Sequence, residues 1–241
     1  MDPRTDKIAE GLRDYFKKAG FKKAVIGLSG GVDSALTTKL AVMALGKENV
    51  TALLMPNDGT SSAHSIADAK AWAEELGIEY RVVSIGDFVK RYQKLPWEAS
   101  EEAVVNAQAR VRMTILYHYA NTHKVLVLGT DNKTEAMLGY FTKYGDGGVD
   151  LLPISSLYKT EVWKLSEELG LPEAIIKKTP SAELSQGQTD EAEIGMSYRE
   201  IDDILRKFEA GGKAETDNEK KLQARIEANR HKSQLPPVIG G

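Results

Sequence analysis

The chain has 241 residues, with 35 acidic side chains against 32 Lys and Arg, a formal net charge of −3 and no cysteine. That length suits one sizeable α/β domain, residues 1–241, and the charge argues against nucleic acid as the main partner. Lack of cysteine rules out disulfides, thiolate metal ligands and a cysteine nucleophile. No apolar run reaches membrane-spanning length, and the polar start Met1-Asp2-Pro3-Arg4 has no signal h-region, so a cytoplasmic enzyme with no membrane partner is expected.

Ile8, Leu12, Tyr15 and Phe16 share one face of an amphipathic helix over residues 5–19. Ala24-Val25-Ile26 reads as a buried strand, and Leu36, Leu40 and Met43 mark the helix that follows. Between them stands Gly27-Leu28-Ser29-Gly30-Gly31-Val32-Asp33-Ser34. Two glycines let the backbone approach a ligand. The unpaired amides at the helix start, with the positive end of its dipole, form an anion site. A Walker loop would end in Gly-Lys-Ser/Thr. Here there is no lysine and one carboxylate, which repels phosphate unless a divalent cation lies between. The loop therefore predicts phosphate plus magnesium. The plain alternative is a tight turn with Ser34 as N-cap.

Val50 to Met55 forms a second strand, Ser65 to Leu76 a helix closed by Gly77, and Tyr80 to Val83 a third strand. This alternation predicts an α/β fold with an open, doubly wound, mostly parallel sheet and helices on both faces. A long helix runs from Ser100 to Asn121, with Val104, Ala107, Val111, Ile115 and Tyr119 on one face. Met113, Leu116 and Tyr117 lie elsewhere on it, so it is either buried on two faces or meets another subunit; a homodimer is expected. Lys124 to Leu128 is the fourth strand, Lys133 to Leu138 a short helix, and Gly139 to Asp150 a glycine-rich loop. Leu151 to Ile154 supplies a fifth, shorter strand. Thr160 to Leu169 is helical, 181–189 is a loop, and helices cover about 190–209 and 217–230.

Ligands of such sheets bind beyond the carboxyl ends of the strands, where strand order reverses. If the first and fourth strands are neighbours there, Asp33 and Glu135 face one another. Two carboxylates beside a phosphate cradle suit magnesium.

The Ser-Gly-Gly-x-Asp-Ser loop resembles the pyrophosphate loop of the N-type ATP pyrophosphatases, which cleave ATP between its α and β phosphates. Three further segments are similar to the ammonia-dependent NAD synthetases: Asn106 to Met113, Gly129-Thr130-Asp131-Asn132-Lys133-Thr134-Glu135, and Gly139 to Asp150 with its Lys-Tyr-Gly-Asp-Gly-Gly core. His231-Lys232, with prolines soon after, also fits, and the resemblance spans nearly the whole chain. It implies a five-stranded adenine nucleotide alpha-hydrolase-like sheet. It implies ATP bound by Gly27, Leu28, Ser29, Gly30, Gly31, Val32, Asp33, Ser34, Thr130, Lys159 and Ser181, and magnesium held by Asp33 and Glu135. Deamido-NAD would meet Arg110, Lys143, Asp150, His231 and Lys232, and Asp146 would serve the ammonia site. Lys159 and Asp146 are the implied catalytic residues: Lys159 neutralises charge on transferring phosphates, and Asp146 holds ammonium and takes its proton.

The implied reaction has two steps. The nicotinate carboxylate of deamido-NAD attacks the α-phosphorus of ATP, and ammonia then displaces AMP from the adenylate. With no cysteine for a glutaminase site, ammonium rather than glutamine is the expected nitrogen source. Some family members carry an arginine soon after the second strand; Met55-Pro56-Asn57-Asp58-Gly59 has none, which bears on the adenine and ribose contacts. The alternatives are another adenylating enzyme with the same loop, such as the synthetase domain of GMP synthetase, and a nucleotide sensor without turnover. A sensor would need neither Glu135 nor Asp146.

Overall fold

Four parallel strands, β1 (Ala24–Gly27), β2 (Val50–Leu54), β3 (Glu79–Val82) and β4 (Leu126–Leu128), pair in the order β3-β2-β1-β4. They belong to a computed structural model that describes residues 2–58, 60–181 and 189–239. Strand order reverses between β1 and β4, so the Gly27–Ser34 loop and the segment after β4 emerge side by side. The expected fifth strand is not formed. Leu151 makes a single parallel bridge to Leu128, with Gly129 N donating to Leu151 O at 2.8 Å. Pro153 then removes a ladder donor and the chain turns away.

Alternate side chains of the strands point to opposite faces. Ala24, Ile26, Ala52, Leu54 and Leu128 join one apolar cluster. Into it pack α1 (Pro3–Ala19), α2 (Val32–Leu45), α3 (Ala63–Leu76) and α7 (Lys159–Glu168). Val25, Leu53 and Val127 face the other side, against α4 (Gly86–Tyr92) and α5 (Glu101–His123). Each fully buried Leu or Ile contributes about 1.5–3 kcal/mol from desolvation. Trp72, the largest, also donates its indole N–H to Ala35 O at 3.1 Å.

A third apolar cluster adjoins the first through Trp163. It joins α6 (Lys133–Leu138), α10 (Tyr198–Glu209) and α11 (Asp217–Asn229). The single helix expected over 190–209 is two, α9 (Asp190–Ile194) and α10, because Gly195 ends the first at φ +80° and Ser197 Oγ caps the second. The four-residue α8 (Glu173–Ile176) and the seven-residue α4 carry too little periodicity to be read in advance. On α5, Leu116 is buried against the sheet and Met113 lines the pocket described below. The apolar residues off its main face are thus used within the chain. Most of the loop expected over 181–189 lies outside the described residues. No described helix is long and apolar enough to cross a membrane.

Candidate active site

The loop after β1 runs straight into α2, whose N-cap is Gly31 rather than Ser34. Ser34 Oγ instead donates to Gly31 O at 3.0 Å, lies 3.0 Å from Ser29 Oγ and accepts from Ser29 N at 3.2 Å, closing the loop on itself. Gly30 sits at φ +82°, and a Cβ there would lie 2.2 Å from Ser65 O of α3. This position admits only glycine. The loop lines an open pocket of about 590 Å³ at the β1–β4 switch point.

Asp33, in the first turn of α2, enters this pocket opposite the start of α6. Asn132 caps α6, its Oδ1 accepting from Glu135 N at 3.0 Å. Its Nδ2 donates to Asp33 Oδ1 at 2.8 Å. Glu135 Oε2 returns the capping bond to Asn132 N at 3.1 Å, which leaves Oε1 to face the pocket. Between the acids lies Lys159 Nζ, 2.5 Å from Asp33 Oδ2 and 3.5 Å from Glu135 Oε1. Two hard oxygen ligands thus converge on one cation. Among the described residues no three His, Cys, Asp or Glu side chains gather as a complete metal cage. A magnesium ion here would take two carboxylates and complete its shell with phosphate oxygens and water, its usual pattern.

Electrostatics follow from burial. Desolvation and the Asp33 charge push the Glu135 carboxyl well above its usual range, against the pull of Lys159. Burial would lower the Lys159 ammonium, but Asp33 and Glu135 outweigh it and hold the lysine charged. Asp131, 7% exposed, is pushed up to about 8 by burial and by the Asp146 and Asp33 charges. Burial also raises Asp146, opposed by the hydrogen bond from Thr142 N to its Oδ1 at 2.9 Å.

The structure brings Gly27, Leu28, Ser29, Gly31, Val32, Asp33, Ser34, Thr130, Glu135, Asp146, Lys159, Ser181 and Lys232 to one pocket. Lys232 Nζ reaches it by donating to Gly139 O at 2.9 Å and Phe141 O at 3.1 Å. Arg110, Lys143, Asp150 and His231 lie outside its lining. Three of these form one chain of contacts, Arg110 Nε donating to Lys143 O at 3.4 Å and Lys143 Nζ to His231 O at 2.7 Å. Asp150 is turned to the sheet, accepting from Val127 N at 2.8 Å and Tyr117 OH at 3.0 Å.

Sequence reasoning missed several residues in the pocket or beside it. Asn132 and Asp131 stood in a segment already singled out, and the Asn-x-x-Glu capping box was the signal for the first. Arg112 brings a guanidinium beside β2, donating to Met55 O at 3.0 Å, where no arginine follows the strand itself. It stood in Asn106 to Met113, a segment already singled out, but nothing local gave it a role of its own. Asp190, held by Tyr198 OH at 2.9 Å, also lines the pocket, and Lys159 Nζ lies 5.1 Å from the Tyr198 ring.

Comparison with known proteins gives one family. The NAD synthase family model matches residues 4–236. The NH(3)-dependent NAD(+) synthetase of Archaeoglobus fulgidus is 46% identical, covering 97% of this chain and 94% of its own. That of Methanosarcina acetivorans is 48% identical, with 97% and 96% covered. Among solved structures, an NMN synthetase from Francisella tularensis superposes with a TM-score of 0.91 at 36% identity, covering 99% of this chain and 98% of that one. The NH3-dependent NAD synthetase from Campylobacter jejuni gives 0.86 at 33%, with 99% of both chains covered.

Proposed function

The chain belongs to the NAD synthase family, and we propose that it amidates the nicotinate carboxyl of deamido-NAD with ammonia, using ATP and releasing NAD, AMP and pyrophosphate, the last step of NAD biosynthesis. The observation that carries this is the convergence of Asp33 and Glu135 on one cation beside a lysine-free phosphate loop. The loop amides and the α2 N-terminus suit the β and γ phosphates of ATP. Asp33 and Glu135 would hold magnesium, which supplies neutralising charge between carboxylate and phosphate oxygens. Lys159, kept charged by its setting, offsets the negative charge that grows on the transferring phosphate. Attack by the substrate carboxylate on the α-phosphorus gives an adenylate. Asp146, in the pocket lining, takes a proton from ammonium, and the ammonia so formed displaces AMP from the adenylate. Lys232 anchors the second substrate within the pocket, and the Arg110–Lys143–His231 run takes the dinucleotide's far end. The enzyme would work in the cytoplasm as a homodimer of single domains; exposed Tyr92, Leu95 and Trp97 leave apolar surface for a second copy.

A second reading changes only the acid. The likeness to an NMN synthetase favours nicotinate mononucleotide as an alternative substrate. One assay separates the two: AMP, pyrophosphate and amide product are measured with ammonium and either acid in turn. Higher kcat/KM with deamido-NAD supports the main reading, and the reverse order replaces it. Glutamine without ammonium should give no turnover in either case.

A further inference from the structure

Helix α10 buries Tyr198, Ile201, Ile204 and Leu205 along its apolar face, and Asp202 stands in the middle of that face with no exposed surface. Its neighbour Asp203 points to solvent. A carboxylate at a core position is costly unless its oxygens are met by donors. Here they are. Thr134 Oγ1 donates to Oδ1 at 2.5 Å; Thr160 N and Thr160 Oγ1 donate to Oδ2 at 2.8 and 2.7 Å.

The two threonines are the neighbours of the two residues that matter. Thr134 precedes Glu135 in the first turn of α6, and Thr160 follows Lys159 in the first turn of α7. Thr134 Oγ1 also accepts from Lys159 N at 2.9 Å, and Thr160 Oγ1 accepts from Arg206 Nη2 at 3.2 Å. Each hydroxyl therefore receives one N–H and must spend its own hydrogen on Asp202. The direction of the network is fixed. Helices of six and ten residues have little stability of their own, so their relative placement comes from such tertiary ties.

We propose that Asp202 is a positioning residue: it clamps the starts of α6 and α7 together and so sets the Glu135 carboxylate and the Lys159 ammonium at the separation that ATP–magnesium binding and adenylation require. This rests on the ATP-site reading above. An amide at 202 cannot serve all three donors. Its NH₂ would oppose either the Thr160 N–H, which cannot reverse, or the Thr134 hydroxyl, whose hydrogen then loses its acceptor. The first turns would shift by a fraction of an ångström, enough to matter in a preorganised site.

The test compares Asp202→Asn with Ile201→Ala, a core truncation one residue away on the same helix. Both should lose thermal stability. Only Asp202→Asn should lower kcat, by about 10–100-fold, and raise the magnesium concentration for half-maximal rate, while KM for the acid substrate stays within about threefold. Calorimetric ATP–magnesium affinity should fall about tenfold in Asp202→Asn alone. Should Asp202→Asn fail to fold, Thr160→Ala removes one donor and should cost about 3–10-fold in kcat. Normal kcat and normal ATP–magnesium affinity in the folded variant, or equal losses in Ile201→Ala, would reduce Asp202 to a structural role and overturn the proposal. A wild type that amidates neither acid would strike the functional reading instead; the clamp is then judged on calorimetry alone.

Discussion

Lys159 Nζ lies 2.5 Å from Asp33 Oδ2, at the point toward which Glu135 also turns an oxygen. A lysine therefore stands where the two carboxylates would hold a divalent ion. Lysine and magnesium compete for the same oxygens, and the competition is measurable. In the nucleotide-free protein Lys159→Gln should bind magnesium more tightly than wild type, as read by titration calorimetry. Turnover should nevertheless fall about 10²–10³-fold, since the charge proposed to offset the phosphates is gone. Weaker magnesium binding in this variant would mean that the lysine and the ion do not share a site.

Removing the acids has the opposite signature. Asp33→Asn and Glu135→Gln keep the side-chain shape, and the glutamine oxygen can still close the capping box on Asn132 N. Each should lose about 10²–10³ in rate and need more magnesium, and Asp33→Asn should also melt lower, since the buried Lys159 loses its nearest anion. A double variant with normal magnesium-dependent turnover would falsify the assignment.

Stability should depend on pH through Asp131. Burial and its neighbours raise this carboxyl to about 8 in the folded chain, against an unfolded value of 3.8. Below pH 3.8 both states bind the proton and the group has no effect. Between about 4 and 8 the unfolded chain releases it first, so stability falls as pH rises; above 8 the loss is complete. Asp131→Asn should flatten the melting-temperature curve over that window and be more stable than wild type near pH 8. A wild-type curve that rises from pH 5 to 8, with no difference in the variant, would show that Asp131 is not protonated in the fold.

Much of the fold was legible because its signals are local. Gly77 and Ser100 bound their helices through caps that involve residues three or four apart. The strand–loop–helix turn at Gly27 to Ser34 was legible for the same reason. What escaped depends on distance along the chain. Leu151 and Leu152 look like a strand in isolation, and only Pro153 and the turn after it decide otherwise. Asp202 reads as one more charge on a charged helix until Thr134 and Thr160 are seen to meet it across 68 and 42 residues. Arg112 likewise reaches Met55 across 57 residues. For Asp202 and Arg112 tertiary contact, not pattern, gives the residue its role.

Gly30 offers a test of the loop alone. Its φ of +82° costs any other residue about 1–3 kcal/mol, and its missing Cβ is the space that Ser65 O occupies. Gly30→Ala should raise the KM for ATP more than that for the acid substrate. Gly31→Ala, at φ −89° and clear of backbone contacts, should be milder. Equal effects at the two positions would mean that the loop is not held against α3.

The route of activation is decided by which phosphate the loop holds. Transfer of a γ-phosphoryl group and transfer of AMP would both activate the nicotinate carboxylate, and the amide product is the same. The leaving group differs. A Walker-type enzyme places its loop lysine on the terminal phosphates. Here Ser29 to Ser34 has no lysine, the loop closes on itself through Ser34 Oγ, and the first turn of α2 lines the pocket with Val32, Asp33 and Ser34. The amides of that turn suit a departing pyrophosphate, with Asp33 and Glu135 beside it and Lys159 between them. Attack then falls on the α-phosphorus, and one carboxylate oxygen of the acid ends in AMP. Labelling that carboxylate with heavy oxygen and weighing the products by mass spectrometry reads this directly. The label should appear in AMP, with pyrophosphate unlabelled. Label in inorganic phosphate, with ADP as the nucleotide product, would assign the loop to the wrong phosphate and return the chain to γ-phosphoryl transfer.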